Sequence, residues 1–313
     1  MTGKKLRLGW VGCGRMGTAM AKRLVVAGND IAVTNRTQAK ADVLGALGAT
    51  VVESPSDLAD RDIVFIMVSA STDLVEVTSG PRGVLSDPPR APKVIVDCST
   101  VSSETSAAVR QACSARGVGF LAAPVSGNPK VVAAGQLTLA VSGTREMFDV
   151  VHPYLDQLGK GVTYVGDDEV ARLVKICHNM FLGVVTQTLA EITVLAERGG
   201  VRRSDLLAFL NDSVMGSTFT RYKTPAFVNL DFTPTFTPVL LRKDFDLGMA
   251  LAKELSVSMP VSALCTELVV SAIGAGHVDE DFAVLLLEQA RSAGLDMEPE
   301  NIKVDDGLSG GQE

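Results

Sequence analysis

Histidine and paired cysteine are scarce in this sequence. The three histidines, His152, His178 and His277, lie far apart along the chain, and the five cysteines include no Cys-x-x-Cys pair. Zinc sites need clustered ligands of these types, and disulfide frameworks usually contain an even number of cysteines. We therefore expect no metal site and no disulfide framework, and we expect the protein to act in a reducing compartment, the cytoplasm.

Clustered positive charge and long apolar runs are also missing. The formal net charge is −7 at pH 7, whereas nucleic-acid binding needs Lys and Arg concentrated on one face. No uninterrupted apolar run reaches the roughly 18 residues expected of a membrane-spanning helix. We therefore expect neither nucleic acid nor a membrane as a partner. The hydrophobic residues, 46% of the chain, belong instead in a core or an interface.

The first half of the chain has the pattern of a parallel sheet. Short runs rich in Val and Ile alternate with helix-length amphipathic segments, which is typical of β-α-β units. We predict an α/β Rossmann domain, doubly wound around a mainly parallel sheet, over residues 1–166. Its strands are predicted at residues 6–11, 30–34, 63–67, 93–97, 118–122, 137–142 and 162–165.

A long helix is predicted after this domain. The acidic residues Asp167, Asp168 and Glu169 suit a helix N-terminus, and Gly199 and Gly200 supply a stop. Between them apolar residues recur every three or four positions. This gives an inter-domain helix at 167–200, an all-helical domain at 201–302 and a flexible tail at 303–313. Helices of the second domain are predicted at 203–212, 244–254, 261–274 and 280–293.

A glycine-rich segment follows the first predicted strand and precedes an apolar helix. It reads Gly12-Cys13-Gly14-Arg15-Met16-Gly17. In such a setting the first glycine allows a tight turn, the second lets the backbone approach a pyrophosphate, and the third lets helix and strand pack closely. A turn without a ligand is the alternative, and the strand-turn-helix context favours a dinucleotide. The cofactor would be bound by Gly12, Gly14, Arg15, Met16 and Gly17.

The end of the second predicted strand favours NADP over NAD. An NAD-binding domain usually offers a carboxylate there to the ribose 2′-hydroxyl. This chain has Asn35-Arg36-Thr37 instead. Arg36 can hold a 2′-phosphate, with Asn35 and Thr37 donating further hydrogen bonds, although a lone arginine at a strand end is more often simply solvated. NADP, or NADPH in reduction, is the expected cofactor.

Six motifs follow one another in a distinctive order. They are Gly12–Gly17, Asp97–Thr100, Ala123–Gly127, Gly135–Thr138, the pair Lys175 and Asn179, and the pair Lys243 and Asp244. In order and spacing, across nearly the whole chain, they resemble the β-hydroxyacid dehydrogenases. That family includes 3-hydroxyisobutyrate dehydrogenase and the glyoxylate and succinic semialdehyde reductases.

The resemblance implies an activity. It is the NADP-dependent interconversion of a small 3-hydroxy acid, or a related hydroxy carboxylate, and its semialdehyde or keto form. The active site would lie in a cleft between the Rossmann domain and the helical domain.

The resemblance also assigns catalytic roles on the long helix. Lys175 would be the general acid or base that exchanges a proton with the substrate while nicotinamide exchanges hydride. On an arbitrary helix a solvated lysine would be the better interpretation. Asn179, one turn later on the same side, would orient the lysine and the substrate hydroxyl. His178 stands where the family usually has an amide, and both a pocket role and a packing role stay open.

Further cofactor contacts are implied by the same resemblance. Val68 and Ser69, after the third predicted strand, and Thr100, after the fourth, would border the nicotinamide half of the cofactor. Lys243 would reach the cofactor from the helical domain, with the predicted helix beginning at Asp244. An ordinary solvated Lys-Asp pair is the alternative.

The resemblance places four residues around the substrate. Ser126 and Gly127 would hold the substrate carboxylate, with Asn128 beside them, although Ser and Gly after Pro can also form a plain turn. Phe236 would close over the site, and a core aromatic is the alternative. Asn128 replaces a family Gly and Ala122 replaces a family Asp, so the substrate is less determined than the reaction.

Two other functions stay open. Because His178 and Ala122 alter a pocket otherwise suited to a short acid, one alternative is a reductase of a bulkier ketone or an imine. The other is a nucleotide-binding module without catalysis, which the retention of Lys175 and Asn179 disfavours. Besides a small-molecule substrate, we expect a homo-oligomer, a dimer or larger, because the long helix exposes more apolar surface than one small domain can cover.

Overall fold

The computed structural model describes residues 5–87 and 89–308. The chain divides into two compact units, Met1–Lys175 and Ile176–Glu313. The first unit contains the sheet and the second is helical. The predicted fold class, a Rossmann domain followed by an all-helical domain with a long connecting helix, is confirmed.

One sheet organises the first unit. Within the described residues it contains nine strands, β1 Leu8–Val11, β2 Ile31–Thr34, β3 Thr50–Val51, β4 Ile63–Ile66, β5 Val94–Asp97, β6 Gly119–Ala122, β7 Val125–Ser126, β8 Thr138–Ser142 and β9 Gly161–Gly166. The spatial order is β3-β2-β1-β4-β5-β6-β8-β7, with β9 beside β8. Strands β1 to β6 pair in parallel. The order reverses beside β1, which is where a doubly wound sheet binds its nucleotide.

Helices cover the sheet and explain its apolar strands. They are α1 Arg15–Val26, α2 Gln38–Gly45, α3 Ser71–Ser79, α4 Ser103–Ser114, α5 Pro129–Ala133 and α6 Arg145–Leu155. Every residue of β1, β2, β4 and β5 is buried. Strands buried on both faces need apolar residues throughout, and this is why continuous Val- and Ile-rich runs marked them in the sequence.

Two strands escaped prediction because each is only two residues long. These are β3, which pairs with β2, and β7, which pairs antiparallel with β8. Neither is long enough to show a periodic pattern of apolar residues. The seven predicted strands are all present, with ends that differ by at most two residues.

The second unit is built from helices. Helix α7 spans Val170–Arg198 and so begins in the first unit, and it is followed by α8 Arg203–Asp212, α9 Thr218–Asn229, α10 Pro238–Glu254, α11 Pro260–Gly274 and α12 Leu285–Ser292. Helix α9 was not predicted, because Pro225 lies inside it. The signal that could have found it is the capping box, in which Ser217 and Thr220 satisfy each other's backbone amides.

Two predicted helix boundaries are wrong. The helix expected to begin at Asp244 begins six residues earlier, because Thr237 caps it and Pro238 occupies its first position. The helix expected over 280–293 is interrupted, since Asp281 caps a short 3-10 turn, Phe282–Val284, before α12 begins. Lys243 and Asp244 therefore lie within α10 rather than at its start.

Helices α7 and α10 approach each other closely. A Cβ atom on Gly183 would lie 2.5 Å from the Phe245 ring, and one on Gly248 would lie 2.1 Å from the Met180 sulfur. A side chain at either position would displace these atoms. The two glycines let the Phe245 ring and the Met180 side chain pack directly on the backbone of the opposite helix, and Ile176, Met180, Leu241 and Phe245 form one apolar cluster around the contact.

Helix α7 is long and apolar enough to resemble a membrane-spanning helix. By length and composition it is the single helix among the described residues that could cross a membrane, although no continuous apolar run had indicated one. Half of its most apolar stretch is buried. The core helix of a soluble protein passes the same test, so this is weak evidence, and the absence of a membrane partner stays a prediction.

Ile302 and Val304, after the last helix, contact other parts of the second unit. Asn229 donates to the Ile302 carbonyl at 2.8 Å and accepts from its N–H at 3.2 Å. Val304, which lies inside the segment predicted to be a flexible tail, packs against the helical core. Residues 303–308 form neither helix nor strand, and the predicted tail residues 309–313 lie outside the described residues.

Candidate active site

The glycine-rich turn has the shape that its sequence predicts. Gly12 has a φ of +96°, and a Cβ atom on it would lie 2.1 Å from the Met67 carbonyl oxygen. A Cβ atom on Gly17 would lie 1.9 Å from the Gly12 carbonyl oxygen. These two positions admit only glycine, because a side chain would separate α1 from β1 and β4.

Gly14 differs from the other two glycines. Apart from Gly14 itself and its two chain neighbours, no described heavy atom lies within 4 Å of the place where its Cβ atom would stand. In the described structure no side chain caps α1 at Gly14, and the first turn of α1 contains no acidic residue. The positive end of the α1 dipole therefore lies at the glycine-rich turn with no acidic residue in the first helical turn, so the residues present fit a bound pyrophosphate.

Asn35 joins this turn to the end of β2. Its Oδ1 accepts from the Cys13 N–H at 2.8 Å, and its Nδ2 donates to the Thr37 carbonyl at 2.9 Å. Burial raises the pKa of the Cys13 thiol to about 11, so this side chain is a neutral part of the core. Asn35 thus ties the glycine-rich turn to the segment after β2, a role that the sequence had not indicated.

Arg36 stands at the carboxyl end of β2 with its side chain 91% exposed. Its guanidinium lies 3.7 Å from the carboxylate of Asp73, in the first turn of α3. An exposed pair of this kind contributes little to stability and is readily exchanged for another anion. A phosphate at the end of β2 would therefore compete with Asp73 for the arginine.

The loops after β4 and β5 are joined to each other. The Val68 N–H donates to Ser99 Oγ at 2.9 Å, and the Ser99 N–H donates to Asp97 Oδ1 at 3.0 Å. Because β1, β4 and β5 are neighbours, Val68, Ser69 and Thr100 lie at the same edge of the sheet as the glycine-rich turn. The structure therefore brings together the predicted cofactor residues of the first unit.

The predicted carboxylate grip lies between β7 and α5. Gly127 has a φ of +142°, and its Cβ atom would meet the Val131 side chain at 2.8 Å. Asn128 is buried, and its Oδ1 caps α5 by accepting from the Val131 N–H at 3.0 Å. Ser126 is half-buried and Gly127 is exposed, whereas Asn128 is buried and its Oδ1 serves the helix cap.

Lys175 lies in the second turn of α7 and is half-buried. It is the last residue of the first unit. Among its neighbours in the helix, Cys177 is exposed, whereas the other four cysteines of the chain are buried, namely Cys13, Cys98, Cys113 and Cys265.

Asn179 is held in one orientation. Its side chain is 3% exposed, and its Nδ2 donates to Asp244 Oδ2 at 2.5 Å. A carboxylate can only accept, so the amide oxygen of Asn179 must face the other way, where it lies 2.9 Å from His178 Nδ1. His178 Nδ1 therefore carries the proton and donates to Asn179. His178 contacts Asn179 directly, and Asp244, known from the sequence only as half of a Lys-Asp pair, is the partner that orients the amide.

Lys243 and Phe236 are the other predicted site residues of the second unit. The Lys243 side chain is 44% exposed, and its Nζ lies 3.9 Å from Asp244 Oδ1. Phe236 packs against the apolar cluster around α7 and α10 and meets Phe282 edge-on, with ring centroids 5.8 Å apart. Its ring is half-buried, so it combines a core contact with an accessible part.

Both halves of the chain match known protein families. Residues 7–166 match the family described as the NAD binding domain of 6-phosphogluconate dehydrogenase. Residues 170–287 match the family described as NAD-binding of NADP-dependent 3-hydroxyisobutyrate dehydrogenase. The boundary between the two matches falls at the start of α7.

Similar proteins extend over nearly the whole chain. Glyoxylate/succinic semialdehyde reductase 1 of Arabidopsis thaliana is 32% identical over 282 residues, covering 90% of this chain and 97% of the relative. 2-(Hydroxymethyl)glutarate dehydrogenase of Eubacterium barkeri is 31% identical, covering 91% and 96%. The crystal structure of 3-hydroxyisobutyrate dehydrogenase from Salmonella typhimurium is 26% identical, with a TM-score of 0.79 over 90% of this chain and 99% of that one. This chain therefore belongs to the β-hydroxyacid dehydrogenase family and is an oxidoreductase that uses a nicotinamide cofactor.

Proposed function

We propose that this protein interconverts a small 3-hydroxy acid, or a related hydroxy carboxylate, and its semialdehyde or keto form with NADP(H). One observation carries the proposal. Helix α7 presents a lysine, Lys175, and one turn later an amide, Asn179, whose orientation is fixed by Asp244. A titratable amine with an oriented amide one turn away can transfer one proton to or from a substrate oxygen.

The chain's own residues supply the proton step. When bound, nicotinamide supplies or accepts the hydride. In reduction the ammonium of Lys175 donates a proton to the carbonyl oxygen, and in oxidation the neutral amine accepts the hydroxyl proton. Asn179 does not titrate, so its part is to orient the lysine and the substrate oxygen through its second amide hydrogen.

The residues at the end of β2 support NADP as the preferred form. Arg36 is a cation just after β2, and its partner Asp73 forms only an exposed pair with it. A planar guanidinium can bind a phosphate through two hydrogen bonds, which a ribose hydroxyl cannot match. We infer that NADPH binds more tightly than NADH.

Ser126 and Gly127 support a carboxylate substrate. A hydroxyl and an accessible glycine amide are donors suited to an anionic end group. Related proteins are named for glyoxylate, succinic semialdehyde and 2-(hydroxymethyl)glutarate, each of which carries a carboxylate. A short acid with a carbonyl or hydroxyl group is therefore the substrate class we propose.

Exposed apolar residues support self-association. Phe181 is 69% exposed and Leu195 is 73% exposed on α7. Large apolar side chains on one helix face mark a protein interface more often than a free surface. We propose a homo-oligomer, a dimer or larger, which light scattering at several concentrations will test.

The test of the proposed function is NADPH consumption, with NADH in parallel. The panel contains short aldehyde and keto acids, the corresponding short aldehydes without a carboxylate, bulkier ketones and cyclic imines. Turnover of a semialdehyde or keto acid, lost when the carboxylate is removed, supports the proposal. Turnover of ketones or imines alone replaces it with the reductase of bulkier substrates. NADPH binding without any turnover replaces it with a non-catalytic module.

A further inference from the structure

A buried arginine lies one turn before Lys175. Arg172 is 2% exposed in the first turn of α7. Its Nη2 donates to Asp97 Oδ2 at 2.5 Å, its Nη1 to the Ser99 carbonyl at 2.5 Å, and its Nε to Ser106 Oγ at 3.2 Å. One side chain thus joins α7 to the end of β5, to the loop that follows β5, and to α4.

The contacts continue into the loop after β4. Ser99, whose carbonyl accepts from Arg172, also accepts through Oγ from the Val68 N–H. Asp97 is fully buried and holds Arg172 with one oxygen and the Ser99 N–H with the other. The guanidinium therefore fixes α7 against both loops that carry Val68 and Thr100. All of these residues belong to the first unit.

The start of α7 has a second set of contacts, which meets the first at Glu169, whose Oε2 lies 4.0 Å from Arg172 Nε. Ser142 Oγ accepts from the Ala171 N–H at 3.1 Å and donates to the Asp168 carbonyl at 2.7 Å. Arg110 donates to Glu169 at 2.6 Å and to the Phe120 carbonyl at 2.8 Å. These contacts hold the helix to β8, α4 and β6. Arg172 is the connection to the loops after β4 and β5.

We propose that Arg172 is a positioning residue for Lys175. It sets the place of the lysine relative to the loops that border the nicotinamide. Lys175 follows Arg172 by three residues, about 4.5 Å along the helix axis. A shift at the first turn is therefore carried directly to the amine, and a misplacement of about 1 Å can lower the rate of a reaction roughly 100-fold.

The chemistry of the Arg172–Asp97 pair favours a positioning role over a purely structural one. Burying two charges costs solvation, so an apolar pair would hold the helix equally well. A guanidinium with three directed hydrogen bonds instead fixes an orientation. The inference rests on the proposed function, because it concerns the residue proposed to move the proton.

Arg172→Lys is the first test, because lysine keeps the charge but loses the planar fork. On the full chain we expect the rate of hydride transfer in a single turnover to fall roughly 10- to 100-fold. The Kd for NADPH should change less than about threefold, since the contacts of Arg172 are to Asp97, Ser99 and Ser106 and not to the glycine-rich turn. Arg110→Lys is the matched control, because it loosens the same helix start without touching the loops, and its rate should stay near that of the unmodified protein.

The double variant Arg172→Lys/Lys175→Ala separates positioning from support. If Arg172 acts through Lys175, the double variant is as slow as Lys175→Ala alone. An additional loss from Arg172→Lys in the Lys175→Ala background overturns the proposal, and so does an unchanged rate in Arg172→Lys. An equal loss in Arg110→Lys also overturns it. Full activity of Lys175→Ala would refute the proposed function itself, which is a separate outcome.

Discussion

Among the described residues, each unit contains one ion pair whose two side chains are both almost fully buried, and the two pairs are built in opposite ways. In the first unit the cation, Arg172, is the centre, and it donates to Asp97 and to its neighbours. In the second unit the anion, Asp281, is the centre, and Lys223 is one of several donors around it at 2.5 Å. The side chains of both pairs are at most 3% exposed.

The anion-centred pair serves a segment without regular structure. Asp281 accepts from the Thr235 N–H at 3.0 Å, from the Thr235 hydroxyl at 2.6 Å and from the Phe236 N–H at 3.4 Å. It also accepts from the Ala283 N–H at 3.0 Å. A carboxylate can gather many donors, which replaces the hydrogen bonds that a helix or strand would give this backbone.

The comparison shows that the sign of the central charge depends on the surrounding groups: a cation stands among hydrogen-bond acceptors, and an anion stands among hydrogen-bond donors. The end of β5 offers a carboxylate, the loop after it a carbonyl and α4 a hydroxyl, so a cation is needed there. The segment before α10 offers N–H groups, so an anion is needed. The two pairs also differ in titration, because lysine can lose its proton and arginine cannot.

The largest expected effects are those of replacing Lys175 and Lys223, one on the catalytic rate and the other on the stability of the fold. Lys175→Met should lower kcat roughly 10²- to 10⁴-fold, as for a lost general acid or base, and change the free energy of unfolding by less than about 1 kcal/mol. Lys223→Met should lower the free energy of unfolding by about 3–5 kcal/mol, because it leaves Asp281 buried without its cation. Steady-state kinetics and urea unfolding of the two variants test this, and a Lys175→Met variant with wild-type kcat contradicts it.

Replacing both partners of each pair sharpens the comparison. Removal of both charges should restore much of the stability that a single substitution loses, because a buried apolar pair costs no desolvation. Arg172→Met/Asp97→Leu should nevertheless stay roughly 100-fold slow in kcat, since Lys175 is no longer aligned. Lys223→Met/Asp281→Leu should instead raise the substrate KM roughly 10-fold by releasing Phe236.

Unfolding curves and the split between kcat and KM check both double variants together. If the two double variants both change kcat alone, or both change KM alone, the expected difference in function between the two ion pairs is wrong. The parent single variants, measured at the same protein concentration, are the controls.

An exposed arginine provides the contrast to the buried one. Arg36→Ala should weaken NADPH binding roughly 10- to 100-fold, since a charge-assisted hydrogen bond to phosphate is lost. NADH binding and the free energy of unfolding should hardly change, because the Arg36 side chain is 91% exposed. Fluorescence titration with both cofactors measures this. Asp73→Asn is the matched control, and it should tighten NADPH slightly by removing the competing carboxylate.

The smallest expected effect is the pH dependence of the Lys223 pair. Burial lowers the pKa of the Lys223 ammonium, and the Asp281 carboxylate opposes the shift. Between the lowered pKa and the usual value of about 10.4, the unfolded chain binds more protons than the folded one. The free energy of unfolding therefore gains a contribution that increases with pH in this window and is complete above the unfolded pKa.

The measurement is the difference in free energy of unfolding between the unmodified protein and Lys223→Met from about pH 8 to about pH 10.5. This difference should rise with pH. The corresponding difference for Arg172→Met should stay flat, because a guanidinium does not titrate in this range. A falling curve for Lys223 would contradict the direction of the shift.

Much of the first unit could be predicted from the sequence. Buried parallel strands need apolar runs, and the glycine spacing of the phosphate turn reflects two contacts that only glycine allows, at Gly12 and Gly17. Both signals are local. They can be recognised in a single sequence because the residues that carry them lie close together in the chain, although Gly12 itself meets the distant Met67 carbonyl.

The partners of the site residues could not be predicted in the same way. Arg172 and Asp97 are 75 positions apart, and Asn179 and Asp244 are 65 apart. An arginine in an apolar helix and an asparagine one turn after a lysine carry no local sign of their partners. Such pairs are determined by how elements pack, so the sequence alone left Arg172 unnoticed and Asp244 without its role.

The burial of four of the five thiols has a practical consequence. Burial raises the pKa of these thiols, that of Cys13 to about 11, and keeps them from solvent. Thiol reagents need an accessible thiolate, and Cys177 is the exposed cysteine. The unmodified single chain therefore carries one exposed thiol for a fluorescent or spin label, two residues from Lys175 and one turn before Phe181, so loss of labelling on self-association would report the proposed interface.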